Sequence, residues 1–112
     1  MFSKVTLALL AMSCTAIAYK DNCDGSTNSP NLSDCYVGID RIDVGAFYSD
    51  GQEFSQGSCF IKYAINKSGP YAVSGQTIKD KALYILAHCG HHHGSYGTGN
   101  CEKCHVTVNY RN

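Results

Sequence analysis

Cysteine is the residue type in this sequence whose number and spacing predict the most chemistry. The chain has seven cysteines among 112 residues. Cys14 lies in an N-terminal stretch typical of a leader, and six follow it: Cys23, Cys35, Cys59, Cys89, Cys101 and Cys104. An even number of cysteines in a short secreted chain predicts a disulfide framework. Three bridges would stabilise a domain with a small core by restricting the unfolded chain.

The leader is predicted from the order of its parts. Lys4 supplies a positive charge, residues 5–12 form an apolar run, and Ala16-Ile17-Ala18 fits the small-x-small rule for cleavage. The run is too short to span a bilayer core of about 30 Å. We therefore expect a signal peptide over residues 1–18, a single secreted, extracellular domain over residues 19–112, and no stable membrane insertion.

The histidines are the next candidates for chemistry: His88, His91, His92, His93 and His105. With Cys101-x-x-Cys104 nearby, a zinc site or a redox pair is conceivable. In an oxidising compartment cysteines form disulfides instead. The sequence therefore predicts a structural role for the cysteines, no metal and no cofactor, with metal binding through the histidines as an alternative.

Residues that could serve in acid–base catalysis are present, but their spacing in the sequence does not group them. A small secreted hydrolase such as a ribonuclease needs a general acid and base near a cation. The candidates are Glu53, Glu102, His88, His105, Arg41 and Arg111. No Gly-x-Ser-x-Gly elbow is present either. We predict a protein that is not an enzyme and keep the hydrolase as the alternative.

Charge argues against two classes of partner. The sequence contains nine basic and nine acidic residues, and removal of Lys4 with the leader leaves eight basic residues. Binding of nucleic acid or of an anionic membrane surface needs clustered Lys and Arg. We expect no nucleic-acid partner and a monomer.

Apolar spacing predicts a helix in the first half of the domain. After Ser29-Pro30, which suits a cap and first turn, the apolar residues Leu32, Cys35, Ile39 and Ile42 recur at helical intervals. The pattern predicts a helix over residues 31–43, ended by Gly45.

A second helix and three strands complete the prediction. Alternation predicts a central strand over residues 58–65, a short strand over 71–73 paired back on it as a hairpin, and a last strand from Cys104. The second helix is predicted between the last two strands from an apolar stripe at Ile78, Ala82, Ile85 and Cys89. It begins at a cap, Ser74 or Thr77, and ends near Gly90. We expect a disulfide-stapled α+β fold, with two α-helices covering one face of an antiparallel sheet, and a glycine-rich loop over 91–100.

Exposed polar and aromatic residues are the candidates for contact with a target. They are Lys62, Lys67, Lys79, Lys81, His91, His92, His93 and Tyr96. Two Asn-x-Ser sequons, at Asn66 and Asn31, are glycosylation candidates, with Asn66 in a predicted loop the better acceptor.

Three short segments resemble a known family. Asn22-Cys23 followed by Gly25-Ser26, the stretch from Ser74-Gly75 to Cys89, and Val106-Thr107-Val108-Asn109-Tyr110 are similar to the opening, second helix and closing strand of the fungal killer-toxin family that includes killer protein four and the salt-mediated killer toxin. The chain departs from that pattern in having fewer cysteines and in carrying His91-His92-His93 after the second helix. Ser29-Pro30, Asp34-Cys35 and Ser58-Cys59 more distantly resemble the fungal necrosis-inducing effector domain.

The resemblance implies a fold, a source and an activity. It implies an α/β-sandwich, secretion by a fungus, and action on a surface protein or channel of another cell, with interference with calcium uptake as the family's described effect. Antifungal and host-directed roles are both open. It also suggests Cys23–Cys89 as one bridge, with Cys59–Cys104 and Cys35–Cys101 as the other two.

Overall fold

The computed structural model describes residues 19–67 and 69–112. Its elements, in chain order, are α1 (Leu32–Asp40), β1 (Phe47–Tyr48), β2 (Cys59–Ala64), β3 (Val73–Ser74), α2 (Gly75–His88), β4 (Gly94–Gly97) and β5 (His105–Tyr110). The predicted leader lies outside the described residues, so it stays a prediction. Within the described part of the chain, neither helix combines the length and apolar character needed to cross a bilayer.

A three-stranded antiparallel sheet forms the centre of the domain. β5 lies in its middle, between β2 and β4. Alternate β2 residues Cys59, Ile61 and Tyr63 are fully buried, and Ile61 lies opposite the buried Val108 of β5. α1 packs against β2, and α2 packs against β4 and β5. The predicted α+β fold, with two helices against antiparallel strands, is confirmed.

α1 is shorter than its apolar spacing predicts. Asn31, not Ser29, is the N-cap, and its side chain accepts a hydrogen bond from the Asp34 backbone N–H at 3.1 Å. The helix ends at Asp40, because the Arg41 N–H bonds to the carbonyls of Gly38 and Ile39 and tightens the last turn. Gly45 is therefore not the terminator.

The predicted hairpin between β2 and residues 71–73 is wrong. Residues 52–56 already occupy the free edge of β2, since the Phe54 N–H donates to the Ile61 carbonyl and the Tyr63 N–H donates to the Gln52 carbonyl. With β5 on its other edge, β2 has no room for a further partner. β3 pairs instead with β1 in a separate two-stranded antiparallel sheet.

The glycine-rich segment predicted as a loop contains strand β4. Its glycines let the N-terminal arm, residues 19–25, approach closely: a Cβ on Gly94 would meet the Asn22 carbonyl oxygen, and one on Gly97 would lie 2.8 Å from Tyr19 Cβ. Asn22 and Ser95 exchange two backbone hydrogen bonds of 2.9 Å. The arm thus covers the outer edge of β4, an edge that would otherwise offer unpaired backbone groups to other chains.

The six cysteines described form three disulfides. Cys23–Cys89, the bridge suggested by the resemblance, ties the arm to the end of α2. The suggested Cys35–Cys101 and Cys59–Cys104 pairs are wrong: Cys35 bonds to Cys59 and joins α1 to β2, while Cys101 bonds to Cys104 within one turn. The reason is geometric, because α1 packs directly on β2 and brings Cys35 and Cys59 to a Cα separation of 5.2 Å, in the range a disulfide requires.

Tyr63 joins three segments through its buried hydroxyl. The hydroxyl donates to the Tyr71 carbonyl at 2.8 Å and accepts from Asn100 Nδ2 at 2.9 Å. Burial is the main reason why the pKa of Tyr63 is raised above its ordinary value of 10.0. The folded state therefore holds the phenolic proton more tightly than the unfolded chain does.

We expect this proton to make the domain alkali-sensitive. A raised folded-state pKa contributes stability that is complete below about pH 10 and is lost as the pH rises through the folded-state pKa. Melting temperatures measured from neutral pH to about pH 12 should fall more steeply for the native chain than for Tyr63→Phe. The variant should also melt lower at neutral pH, since it lacks both hydrogen bonds. Equal slopes would contradict the prediction.

Candidate functional site

An open groove lies between α2 and the N-terminal arm. Its volume is about 700 Å³, and its lining is Asp21, Thr77, Asp80, Lys81, Tyr84 and Tyr96. Four of these residues stand at positions i, i+3, i+4 and i+7 of α2, so they share one face of the helix. Asp21 of the arm and Tyr96 of β4 face them. We call this space the α2 groove.

An aromatic cluster forms one wall of the α2 groove. The ring of His88 stacks on that of Tyr84 with centroids 3.6 Å apart, and the ring of Tyr96 lies tilted at 5.3 Å from Tyr84. Tyr84 is 47% exposed. Its position one helical turn before His88 explains the stack, because residues i and i+4 lie above one another on a helix.

The wall is held by the covalent framework. The Tyr96 hydroxyl lies 3.9 Å from the Cys23 sulfur and 4.0 Å from that of Cys89. The opposite side is held by the arm, where Asp21 Oδ1 accepts a hydrogen bond of 2.8 Å from the Gly97 N–H. Tyr96 therefore lies against the disulfide, and Asp21 is fixed to β4.

The remaining polar groups are also oriented by their neighbours. Asp80 Oδ1 accepts from Gln76 Nε2 at 2.9 Å, and Thr77 Oγ1 lies 3.0 Å from the hydroxyl of Ser74, the N-cap of α2. The α2 groove thus presents two carboxylates, one ammonium group and one hydroxyl beside two tyrosine rings. Such a surface suits binding.

Two of the predicted contact residues, Lys81 and Tyr96, meet in the α2 groove. The other lysines lie elsewhere. Lys62 is half-buried on β2, and its backbone pairs with that of Glu53 in an isolated antiparallel β-bridge. Lys67 lies in the exposed turn after β2 and has a positive φ of 66°. Lys79 lies on α2 but outside the lining of the groove.

The three consecutive histidines do not form one exposed surface. His91 is exposed, but His92 is half-buried, with Nδ1 donating to the Leu86 carbonyl at 3.1 Å. His93 is only 5% exposed and donates to the Cys23 carbonyl at 3.1 Å. The expectation that His93 faces a partner is therefore wrong, because the arm at Gly25 packs over its ring.

Of the six residues that line the α2 groove, only Lys81 and Tyr96 are among the contact residues predicted from the sequence. The polar face of α2 carried a signal, since Thr77, Asp80, Lys81, Tyr84 and His88 recur at helical spacing. No sequence pattern connects that face with Asp21 or Tyr96. These two residues are brought beside α2 by the Cys23–Cys89 disulfide and by the pairing of the arm with β4.

The residues predicted for the alternative chemistries lie on several different segments of the described chain. Arg41 donates to the Ser55 carbonyl and Arg111 to the Gly57 carbonyl, so both hold the same loop. His105 lies at the opposite end of β5 from Arg111, about 20 Å away at ~3.3 Å per residue. Within residues 19–67 and 69–112 no three His, Cys, Asp or Glu side chains are grouped to hold a metal ion.

The two sequons have different surroundings. Asn66 is exposed in the turn after β2, and Ser68 of its sequon lies outside the described residues. Asn31 uses its side-chain oxygen as the cap of α1 and also accepts from the Ser33 hydroxyl at 2.8 Å. Glycosylation at either position stays a prediction.

Compared with known families and with curated proteins, the chain matches no family model and no curated relative. The described residues form a small cysteine-rich α+β domain with three disulfides and a polar, aromatic groove. Such a framework is typical of an oxidising compartment.

Proposed function

We propose that the protein is a secreted killer-toxin-like or effector protein that binds a target on another cell through the α2 groove. The observation that carries the proposal is the groove itself, in which exposed Tyr84 and fixed Tyr96 adjoin three charged side chains. Tyrosine is enriched where binding energy is concentrated, because it offers a large rigid surface with a polar end.

The disulfides support an extracellular role. Cys23–Cys89 joins residues that are 66 apart in sequence, and its sulfurs lie close to the Tyr96 hydroxyl in the wall of the groove. A site held in this way loses little conformational freedom on binding, which favours affinity. The resemblance to the fungal killer-toxin family, on the residues given above, agrees with this role and remains part of the proposal. Because that family is described as interfering with calcium uptake, calcium uptake by the target cell is one quantity to be measured.

Tyr84→Ala is expected to weaken binding to sensitive cells by about 10- to 30-fold, which corresponds to a loss of roughly 1.4–2 kcal/mol on truncation of a contact tyrosine. The chain from Tyr19, labelled at its C terminus to leave Lys81 free, is titrated onto intact fungal and plant cells. Growth and calcium uptake are followed in parallel.

Tyr36→Ala is the matched control. Tyr36 is a helical tyrosine of similar exposure, 51%, on α1, away from the groove. It should leave binding unchanged. Absence of binding, growth effect and uptake effect on every cell type tested at micromolar dose, with the disulfides formed, would refute the proposal. So would equal losses in the two variants.

A further inference from the structure

The α2 groove has a chemical character that narrows its ligand. Asp21 and Asp80 supply acceptors, Lys81 supplies donors, and the Thr77 hydroxyl can do both. Acceptors and donors thus share one small space, and the two carboxylates and one ammonium group sum to a net charge of −1. A ligand with many hydroxyl groups can satisfy all of them at once, since each hydroxyl donates and accepts.

The aromatic wall adds a second requirement. His88 backs the Tyr84 ring at 3.6 Å, and Tyr96 meets it at an angle, 5.3 Å away. An aromatic face carries negative partial charge. The C–H groups on one face of a pyranose ring carry positive partial charge and are flat enough to pack on such a surface. The wall therefore suits a sugar ring, with its hydroxyls directed toward the carboxylates and the ammonium group.

Other ligand classes fit the groove less well. An anion would be repelled by Asp21 and Asp80. A cation would be attracted by the two carboxylates and the tyrosines, but it would leave the Lys81 ammonium group without an acceptor. An apolar ligand would bury three charged side chains without partners. The volume of about 700 Å³ lies within the ~300–1,000 Å³ of small-ligand sites, so a short chain of sugar rings can be accommodated.

We infer that the α2 groove binds a neutral oligosaccharide, such as a segment of cell-surface polysaccharide. The inference deepens the proposed function and rests on it for the cellular role, while the binding itself can be measured without cells.

The test is calorimetric titration of the disulfide-bonded chain from Tyr19 with oligosaccharides derived from β-1,3-glucan, mannan and chitin. At least one should bind, and Tyr84→Ala and Asp80→Asn should each weaken that binding about 10-fold or more. Tyr36→Ala and Lys62→Ala should not change it. Because the ligand is neutral, its Kd should change less than about twofold between low and high salt. The binding of a charged ligand would be weakened at high salt, since salt screens the electrostatic attraction.

Three results separate this inference from the proposed function. In the first, the protein binds cells through Tyr84, but no oligosaccharide binds it or competes with the cells for it. If protease treatment of the cells also removes the binding, the ligand is a protein. The inference is then overturned and the proposed function stands. If an oligosaccharide binds through Tyr84 but the protein binds and affects no cell, the inference stands and the proposed function fails. Oligosaccharide binding that Tyr84→Ala leaves intact overturns the inference.

Discussion

Replacing both Cys35 and Cys59 with alanine is expected to lower the free energy of unfolding by about 3–5 kcal/mol. The bond closes a loop between residues 24 apart and joins α1 to β2. Chain entropy alone assigns such a loop about 3.5 kcal/mol. Both sulfurs belong to fully buried residues, so the double variant also loses packing in the core. Small domains are stable by only about 5–15 kcal/mol, so this is a large fraction.

The matched control removes the bond between Cys101 and Cys104. These residues are three apart, and a loop this short restricts the unfolded chain by only about 2 kcal/mol. Urea denaturation of the two double variants, with the other bridges intact, measures the difference. An equal loss in both would contradict the predicted dependence of the stabilisation on loop length and on burial of the sulfurs.

Gly38→Ala is expected to cost about 2–3 kcal/mol, although alanine is the better helix former. A Cβ at this position would overlap the Phe54 carbonyl oxygen and lie 3.1 Å from Ile61 Cδ1. The Phe54 backbone cannot yield easily, because its N–H is bonded to β2 through the Ile61 carbonyl. α1 would have to move away from the sheet.

Gly90→Ala is the control for this substitution. A Cβ there meets no atom within 4 Å, and the residue has no positive φ. Its effect should stay within about 0.5 kcal/mol. Thermal melting distinguishes the two variants, since 1 kcal/mol corresponds to roughly 4–8 °C in a domain of this size. A Gly38→Ala variant as stable as the native chain would mean that α1 and residues 52–56 are less closely packed than described.

The α2 groove illustrates how far residue patterns lead toward a site. The stripe of Ile78, Ala82 and Ile85 predicts the buried face of α2 and hence its polar face, which includes Lys81. Spacing along one helix cannot show what lies opposite that face. Tyr96 was predicted as a contact residue but placed in a loop, since the glycines around it have low strand propensity.

Residue patterns alone predict an α+β domain with two helices, a buried alternating strand and, after the predicted leader, six cysteines. Helical and strand periodicity, like the count of cysteines, are local properties. Three features depend on tertiary packing: which cysteines pair, that residues 52–56 rather than 71–73 occupy the edge of β2, and that Asp21 and Tyr96 complete the groove. Those outcomes depend on which surfaces meet when helices pack on a sheet, and sequence spacing carries no record of distances between remote segments.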